Sequence, residues 1–139
     1  MIENDGDVLT MVAVDGVPGV GVGVQVTTRA FPIRQWVAAP NAPQPGSPIL
    51  LDTGDERIST VAWQNDSLWL AGNESCTPPG DTAVRSCLRF IEVRTDAMVV
   101  LQDLTFGTAG SYYYYPALRQ DSGAKIGRAS CRERVYVLV

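Results

Sequence analysis

A run of four tyrosines, Tyr112–Tyr115, is the segment of the sequence that most resembles a binding site. Alternate residues of a strand point to opposite faces, so Tyr113 and Tyr115 share a face. A phenol ring combines apolar area with a hydrogen-bonding tip, which suits a platform for a sugar or another ligand. The sequence therefore predicts ligand binding by Tyr113, Tyr115 and Arg119. Packing against a neighbouring sheet is the alternative use of the same rings.

The acidic turn around Gly54 is a second candidate site. Asp52 and Asp55 flank this glycine, and carboxylate and carbonyl oxygens are the ligands that calcium prefers. Both aspartates are therefore candidate metal ligands, and no other cofactor is expected. Surface turns also favour Asp and Gly for conformational reasons, so a solvated turn is the alternative interpretation.

Three further motifs are interpreted as structural rather than functional. Asp52-Thr53-Gly54 is similar to the tripeptide of pepsin-like aspartic proteases, but their mechanism needs a second carboxylate of the same kind, and no second copy is present. The glycine-rich stretch 18–23 lacks the helix that binds phosphate in dinucleotide sites, so we assign it to strand packing. Asn73-Glu74-Ser75 matches the glycosylation acceptor pattern and is interpreted as turn chemistry.

Composition excludes several classes of function. The chain has 139 residues and contains no histidine, which excludes catalytic triads with a His base and mixed Cys/His zinc sites within it. Its net charge is −4 and its arginines are scattered, so we expect no nucleic-acid partner. No segment reaches the ~20 apolar residues of a membrane helix, and no membrane span is expected.

Cys76 and Cys87 enclose a loop with the turn sequence Pro78-Pro79-Gly80-Asp81, and we predict a disulfide between them rather than two free thiols. Disulfides persist in oxidising compartments, so the protein is expected to be extracellular or at the cell surface. The N-terminal residues 1–7 carry no signal peptide, and we expect it to have been lost by truncation. Cys131 should have no partner.

The pattern of the chain is typical of an all-β protein, because short runs of β-branched and aromatic residues alternate with turn signals. Residues 30–57 are rich in proline, and we interpret them as an extended connection that packs on a sheet edge. The predicted strands are Val8–Val14, Val20–Thr27, Ile58–Gln64, Ser67–Gly72, Ser86–Arg94, Ala97–Thr105 and Tyr112–Leu118. The predicted hairpin turns are Asp15-Gly16, Asn65-Asp66, the cysteine loop and Thr95-Asp96.

Four of these strands form an antiparallel four-stranded meander whose two faces are both largely apolar, as in a blade of a β-propeller. We therefore expect Trp63 and Trp69 to be buried by adjacent sheets. The predicted organisation is an incomplete β-propeller, with a β-sandwich as the alternative. Its parts within residues 1–124 are an outer half blade 8–27, a crossing segment 28–56, a full blade 57–105 and the start of a next blade 112–123.

The segments LDTGDERISTVAWQNDSLWLAG, DTAVRSCLRFIEV, VLQD and YYYYPALRQDSG carry a resemblance over about residues 50–123. They resemble uncharacterised secreted bacterial proteins predicted to be β-propellers, and the resemblance implies no activity. The sequence KIGRASCRERV, residues 125–135, resembles a translated sequencing adapter and contains the one lysine of the chain. We therefore expect residues 125–139 to be an adapter-derived artefact and the remainder to be a fragment that associates or unfolds without a sharp transition.

Two functions follow from these observations. The first is a non-catalytic extracellular propeller that binds a ligand, a carbohydrate or a protein. The alternative is part of a sialidase-like glycosidase, whose family combines an arginine triad with a Tyr nucleophile and an Asp acid. That alternative requires Arg57, Arg89 and Arg119 to converge on one pocket, and the Asp-box pattern of the family is absent.

Overall fold

The computed structural model describes residues 2–16, 23–120 and 126–134, with side chains for residues 6–16 and 23–119. The described chain is all-β, as predicted. Its strands are β1 (Ile2–Asp5), β2 (Val8–Asp15), β3 (Gln25–Pro32), β4 (Ala42–Gln44), β5 (Ser47–Leu51), β6 (Ile58–Gln64), β7 (Ser67–Cys76), β8 (Arg85–Arg94), β9 (Val99–Phe106), β10 (Ser111–Gln120) and β11 (Ile126–Arg134). Over these ranges no helix is long and apolar enough to cross a membrane.

The central element is an antiparallel sheet with the strand order β6-β7-β8-β9. This confirms the predicted four-stranded meander. Asn65 and Asp66 join β6 to β7 with φ angles of 51° and 60°, the combination found in the tight two-residue turns that match strand twist. The connection from β8 to β9 is longer than predicted, because Arg94 pairs with Val99 and four residues lie between them.

Each face of the central sheet is covered by another sheet. The sheet β1-β2-β3 covers one face, and the buried residues there are Leu9, Met11, Phe31, Trp36, Leu68, Leu70, Ile91 and Val93. Strand β10, which pairs with β11, covers the other face, where the buried residues are Ala71, Leu88, Phe90, Tyr113 and Leu118. Because β7 and β8 contribute to both clusters, these two strands form the centre of the molecule. The four sheets are open, and no closed sheet is seen in the described ranges.

The proline-rich connection differs from its prediction. Its first residues extend β3, and residues 42–51 form the hairpin β4–β5 although they contain Pro43 and Pro48. A two-stranded hairpin tolerates proline because each strand has an unpaired side that needs no N–H donor. Trp36 is buried in the core, whereas Ile49 and Leu50 are exposed.

The predicted strand Val20–Thr27 is described only in part, because positions 20–22 lie outside the described residues, and β3 runs from Gln25. The predicted burial of Trp63 was wrong. Trp63 is 63% exposed, whereas Trp69 is half-buried. The reason is that β6 lies at the edge of its sheet, where the neighbouring layers cover only one side of the strand.

Candidate functional site

An open pocket of about 570 Å³ lies where the loop before β6 meets β7 and β10. It is lined by Asp52, Gly54, Asp55, Arg57, Ile58, Ser59, Asn73 and Tyr115. The structure therefore brings together three residues predicted from the sequence as parts of two separate sites, namely Asp52, Asp55 and Tyr115. We call this cavity the Tyr115 pocket.

Tyr115 reaches the pocket because β10 is irregular at this point. The pairing of β10 with β11 shifts register between Tyr114 and Ala117, and Tyr115 has a φ angle of 52°. A residue with a side chain adopts this left-handed conformation at a cost, and such strain clusters at functional sites. The bulge aims the Tyr115 side chain out of the sheet, where it is 49% exposed and its hydroxyl lies 3.5 Å from the Asp52 carbonyl oxygen.

Asn73 lies at the back of the pocket and holds two of its segments in place, a role that was not predicted. It lies inside β7 and is buried, so the interpretation of its motif as turn chemistry was wrong. Its Nδ2 donates a hydrogen bond to the Thr53 carbonyl at 2.6 Å, and its Oδ1 accepts one from the Tyr115 backbone N–H at 2.9 Å. One amide thus holds the acidic loop and the β10 bulge together. Nothing in the local sequence distinguishes this use from an exposed asparagine.

The acidic loop and the β10 bulge approach each other closely at Gly54. Its φ angle is 80°, and a Cβ atom placed on it would lie 2.8 Å from Asn73 Nδ2 and 3.2 Å from the Tyr115 ring. A side chain here would therefore both strain the backbone and displace the two groups that shape the pocket. The glycine is required by the closeness of the loop to β7 and β10.

The carboxylates of the acidic loop are engaged within the loop itself. Asp52 Oδ1 accepts a hydrogen bond from the Gly54 N–H at 2.8 Å, and Asp55 Oδ2 pairs with Arg57 Nε at 2.6 Å. The hydrogen bond from Arg57 holds the pKa of the Asp55 carboxyl below its usual value. In the part of the chain that the structure describes, no group of three His, Cys, Asp or Glu side chains could hold a metal ion. Calcium binding by Asp52 and Asp55 stays a prediction.

The other two predicted ligand residues lie elsewhere. Tyr113 is buried in the core, where its ring contacts Phe106 edge-on at 5.1 Å and its hydroxyl lies 3.0 Å from Thr108 Oγ1. Arg119 is exposed beside β6, in a separate groove of about 350 Å³. The alternation expected for the tyrosine run thus ends at the bulge, and Tyr115 lines the Tyr115 pocket without Tyr113 or Arg119.

The three arginines required by a sialidase-like site have three different surroundings. Arg57 lies at the Tyr115 pocket and Arg119 lies in the groove beside β6. Arg89 is fully buried on the opposite face of the central sheet, where it pairs with Asp103. They do not form the convergent cluster that the alternative function requires.

The predicted disulfide between Cys76 and Cys87 is present, with a Cα–Cα distance of 5.8 Å. It joins the end of β7 to the start of β8, so it closes the loop that carries the turn prolines. The side chain of Cys131 lies outside the described residues. The disulfide is compatible with an extracellular location.

These features define the class of the protein as a disulfide-bonded, all-β protein with an open pocket that combines an aromatic ring and charged groups. Comparison of the chain with protein-family models, with curated proteins and with solved structures finds no match in any of the three. The Tyr115 pocket is therefore the feature of this chain that points to a function.

Proposed function

We propose that this protein is a non-catalytic extracellular binding module, and that the Tyr115 pocket binds a saccharide. The observation that carries the proposal is the conformation of Tyr115. A buried asparagine holds this non-glycine residue in the left-handed region, and the ring of Tyr115 is half-exposed at a cavity. Such a strained backbone conformation serves to place the aromatic side chain in the pocket.

The chemistry of the pocket supports a saccharide as the ligand. A sugar ring has apolar C–H faces that stack on an aromatic ring and hydroxyl groups that bond to planar charged side chains. Tyr115 supplies the ring and a phenol hydroxyl, and Asp52 and Arg57 supply an acceptor and donors beside it. The volume of about 570 Å³ is within the ~300–1,000 Å³ range of small-molecule sites.

The electrostatics of the pocket support binding rather than hydrolysis. A glycosidase needs one carboxyl that stays protonated near neutral pH, so that it donates a proton to the leaving group. The hydrogen bond from Arg57 acts in the opposite direction on Asp55, because it lowers the pKa of that carboxyl. Asp55 is therefore an ionised acceptor at neutral pH.

The wider architecture supports the rest of the proposal. A four-stranded meander covered on both faces is the arrangement of one propeller blade between two others, and it supports an incomplete β-propeller. The Cys76–Cys87 disulfide supports secretion into an oxidising compartment.

The proposal is tested by applying the labelled 139-residue chain to an array of defined neutral and acidic oligosaccharides. We expect binding to a subset of glycans that is lost in Tyr115→Ala and weakened about tenfold in Arg57→Met. Leu101→Ala is the control, because it removes a side chain that is about as exposed as Tyr115 and does not line the pocket. Absence of binding to every glycan, or equal loss in the Leu101 and Tyr115 variants, would overturn a saccharide site at Tyr115.

A further inference from the structure

The outer edge of β6 is unpaired among the described strands, and its regular part, residues 60–64, contains none of the usual protective features. β6 pairs with β7 alone among the described strands. Its sequence, ISTVAWQ, contains no charged residue and no proline. Natural proteins normally protect such an edge with charges, proline or a bulge, because its free N–H and C=O groups are a template for another strand.

The other edge of the same sheet provides the comparison. Strand β9 is also rich in exposed apolar residues, but a register shift interrupts it near Leu101. It also carries Asp103, whose carboxylate is turned inward and held by Arg89. A bulge and an inward-pointing charge are two recognised ways of preventing edge pairing. The edge of β6 has a register shift only near its start, between Ile58 and Thr60, which leaves residues 60–64 regular.

Two large apolar side chains of β6 are exposed beside this edge. Val61 is 52% exposed and Trp63 is 63% exposed, although both are large and apolar. Trp63 lies between two grooves, one of about 480 Å³ with Met11 and Met98 in its wall and one of about 350 Å³ lined by Leu118 and the exposed Arg119. The Trp63 ring is oriented by a hydrogen bond of 3.3 Å from its Nε1 to Thr95 Oγ1. An added strand would therefore find both a free backbone edge and apolar side chains.

The regular part of β6 is complementary to itself. In an antiparallel pair centred on Ala62, Val61 of one copy lies opposite Trp63 of the other, and Thr60 lies opposite Gln64. Apolar residues thus meet apolar ones, polar residues meet polar ones, and no charge opposes a charge. Pairs of an aromatic with a β-branched residue are among the favourable cross-strand pairs. We propose that two copies of this chain associate through β6, which joins their central sheets into one continuous sheet of eight strands.

A charge placed on this edge should separate the copies. Val61→Lys puts an ammonium group beside Trp63 of the second copy, and we expect it to weaken dimerisation at least about tenfold, which corresponds to about 1.4 kcal/mol. Leu101→Lys is the matched control, because Leu101 is 51% exposed on the opposite edge of the same sheet. Sedimentation velocity of the full chain over a wide concentration range measures both, and circular dichroism checks that each variant is folded.

Hydrogen exchange provides a second measurement that does not depend on a variant. The backbone N–H groups of residues 60–64 that face outward should become more protected as the concentration of the wild-type chain rises. Supporting results are a dimer sensitive to Val61→Lys but not to Leu101→Lys, and protection confined to β6. A monomeric wild-type chain, a dimer broken only by Leu101→Lys, or protection that requires an added foreign peptide would overturn the proposal.

Discussion

Two neighbouring residues of β7, Asn73 and Glu74, point to opposite faces of the central sheet and enter two polar regions of different character. Asn73 supports the Tyr115 pocket. Glu74 belongs to a buried cluster of charges between the central sheet and the segment that follows β3. The two regions contain similar groups, so their differences show what burial does to a charge.

The cluster around Glu74 is satisfied by internal hydrogen bonds, with Glu74 and Arg89 buried and Arg34 half exposed at its rim. Arg89 is fully buried, donates two hydrogen bonds to the Asp103 carboxylate at 2.8 and 2.6 Å, and lies over the Trp36 ring. Its Nη2 also donates to the Arg34 carbonyl oxygen at 2.6 Å. Glu74 accepts hydrogen bonds from the Arg34 guanidinium and from the Thr105 hydroxyl. Buried charges are stable only when they are paired in this way, so the cluster is a structural device.

The Tyr115 pocket contains an ion pair of the same length in a different setting. Asp55 and Arg57 lie 2.6 Å apart, as do Arg89 and Asp103, but the side chains of Asp55 and Arg57 are 45% and 86% exposed. Solvent screens the attraction between these two side chains. Each of them can therefore leave its partner and bind a ligand instead. Distance alone therefore does not separate a structural ion pair from a binding group, whereas exposure does.

The largest expected effect comes from removing the buried cation. Arg89→Met keeps an apolar side chain against Trp36 but leaves the carboxylates of Glu74 and Asp103 without their buried partner. We expect a loss of about 3–5 kcal/mol in the free energy of unfolding, measured by urea denaturation. The matched control is Arg57→Met, which removes an exposed arginine from an ion pair of equal length and should leave the stability close to that of the wild type. Equal effects of the two substitutions would contradict the comparison.

The next effect links the two regions through β7. Asn73→Ala should cost about 1–3 kcal/mol, because it leaves the Thr53 carbonyl and the Tyr115 N–H without their hydrogen-bond partner. It should also release the left-handed conformation of Tyr115 and so weaken ligand binding more than the loss of stability accounts for. Asn65→Ala, in an exposed turn, is the control for binding. A variant that is destabilised but binds normally would show that Asn73 does not position Tyr115.

The sequence was sufficient for the local elements of this fold and insufficient for the site. The bounds of β6 and the turn at Asn65 and Asp66 follow from β-branched residues beside a strong turn signal, which are local properties. The exposure of Trp63 could not be predicted, because it depends on which strands lie at the sheet edge and how far the neighbouring layers extend. A large aromatic residue has the same local pattern in both situations.

The Tyr115 pocket shows the same limit. Its three predicted residues were found separately, from composition and turn chemistry, but their meeting point depends on the β10 bulge and on Asn73. Neither leaves a local signal. The buried cluster was not predicted for a related reason: Arg89 and Asp103 become partners through the register of β8 with β9, and Arg34 reaches them from the distant segment that follows β3.

The smallest expected effect is a loss of folding stability at acid pH, caused by protonation of Asp103 in the buried cluster. Burial opposes ionisation of Asp103, but the hydrogen bond from Arg89 and the charges of Arg89 and Arg34 outweigh it and lower the pKa of this carboxyl. A carboxyl whose pKa is lower in the folded state stabilises the fold fully above its unfolded pKa of ~3.9, and this contribution is lost as the pH falls through the folded value.

Wild-type stability should therefore decline below about pH 4, and Asp103→Asn should reduce that dependence because position 103 no longer titrates. Asp81 is the reference, since hydrogen bonds from Arg85 and from the Gly110 and Ala83 N–H groups also lower its pKa, at a site outside the cluster. Asp81→Asn should reduce the same acid dependence without altering the contacts of Arg89. Urea denaturation of the three proteins at a series of pH values measures the slopes. If Asp103→Asn keeps the wild-type slope while Asp81→Asn flattens it, the ion pair of Arg89 with Asp103 does not control the ionisation of this carboxyl.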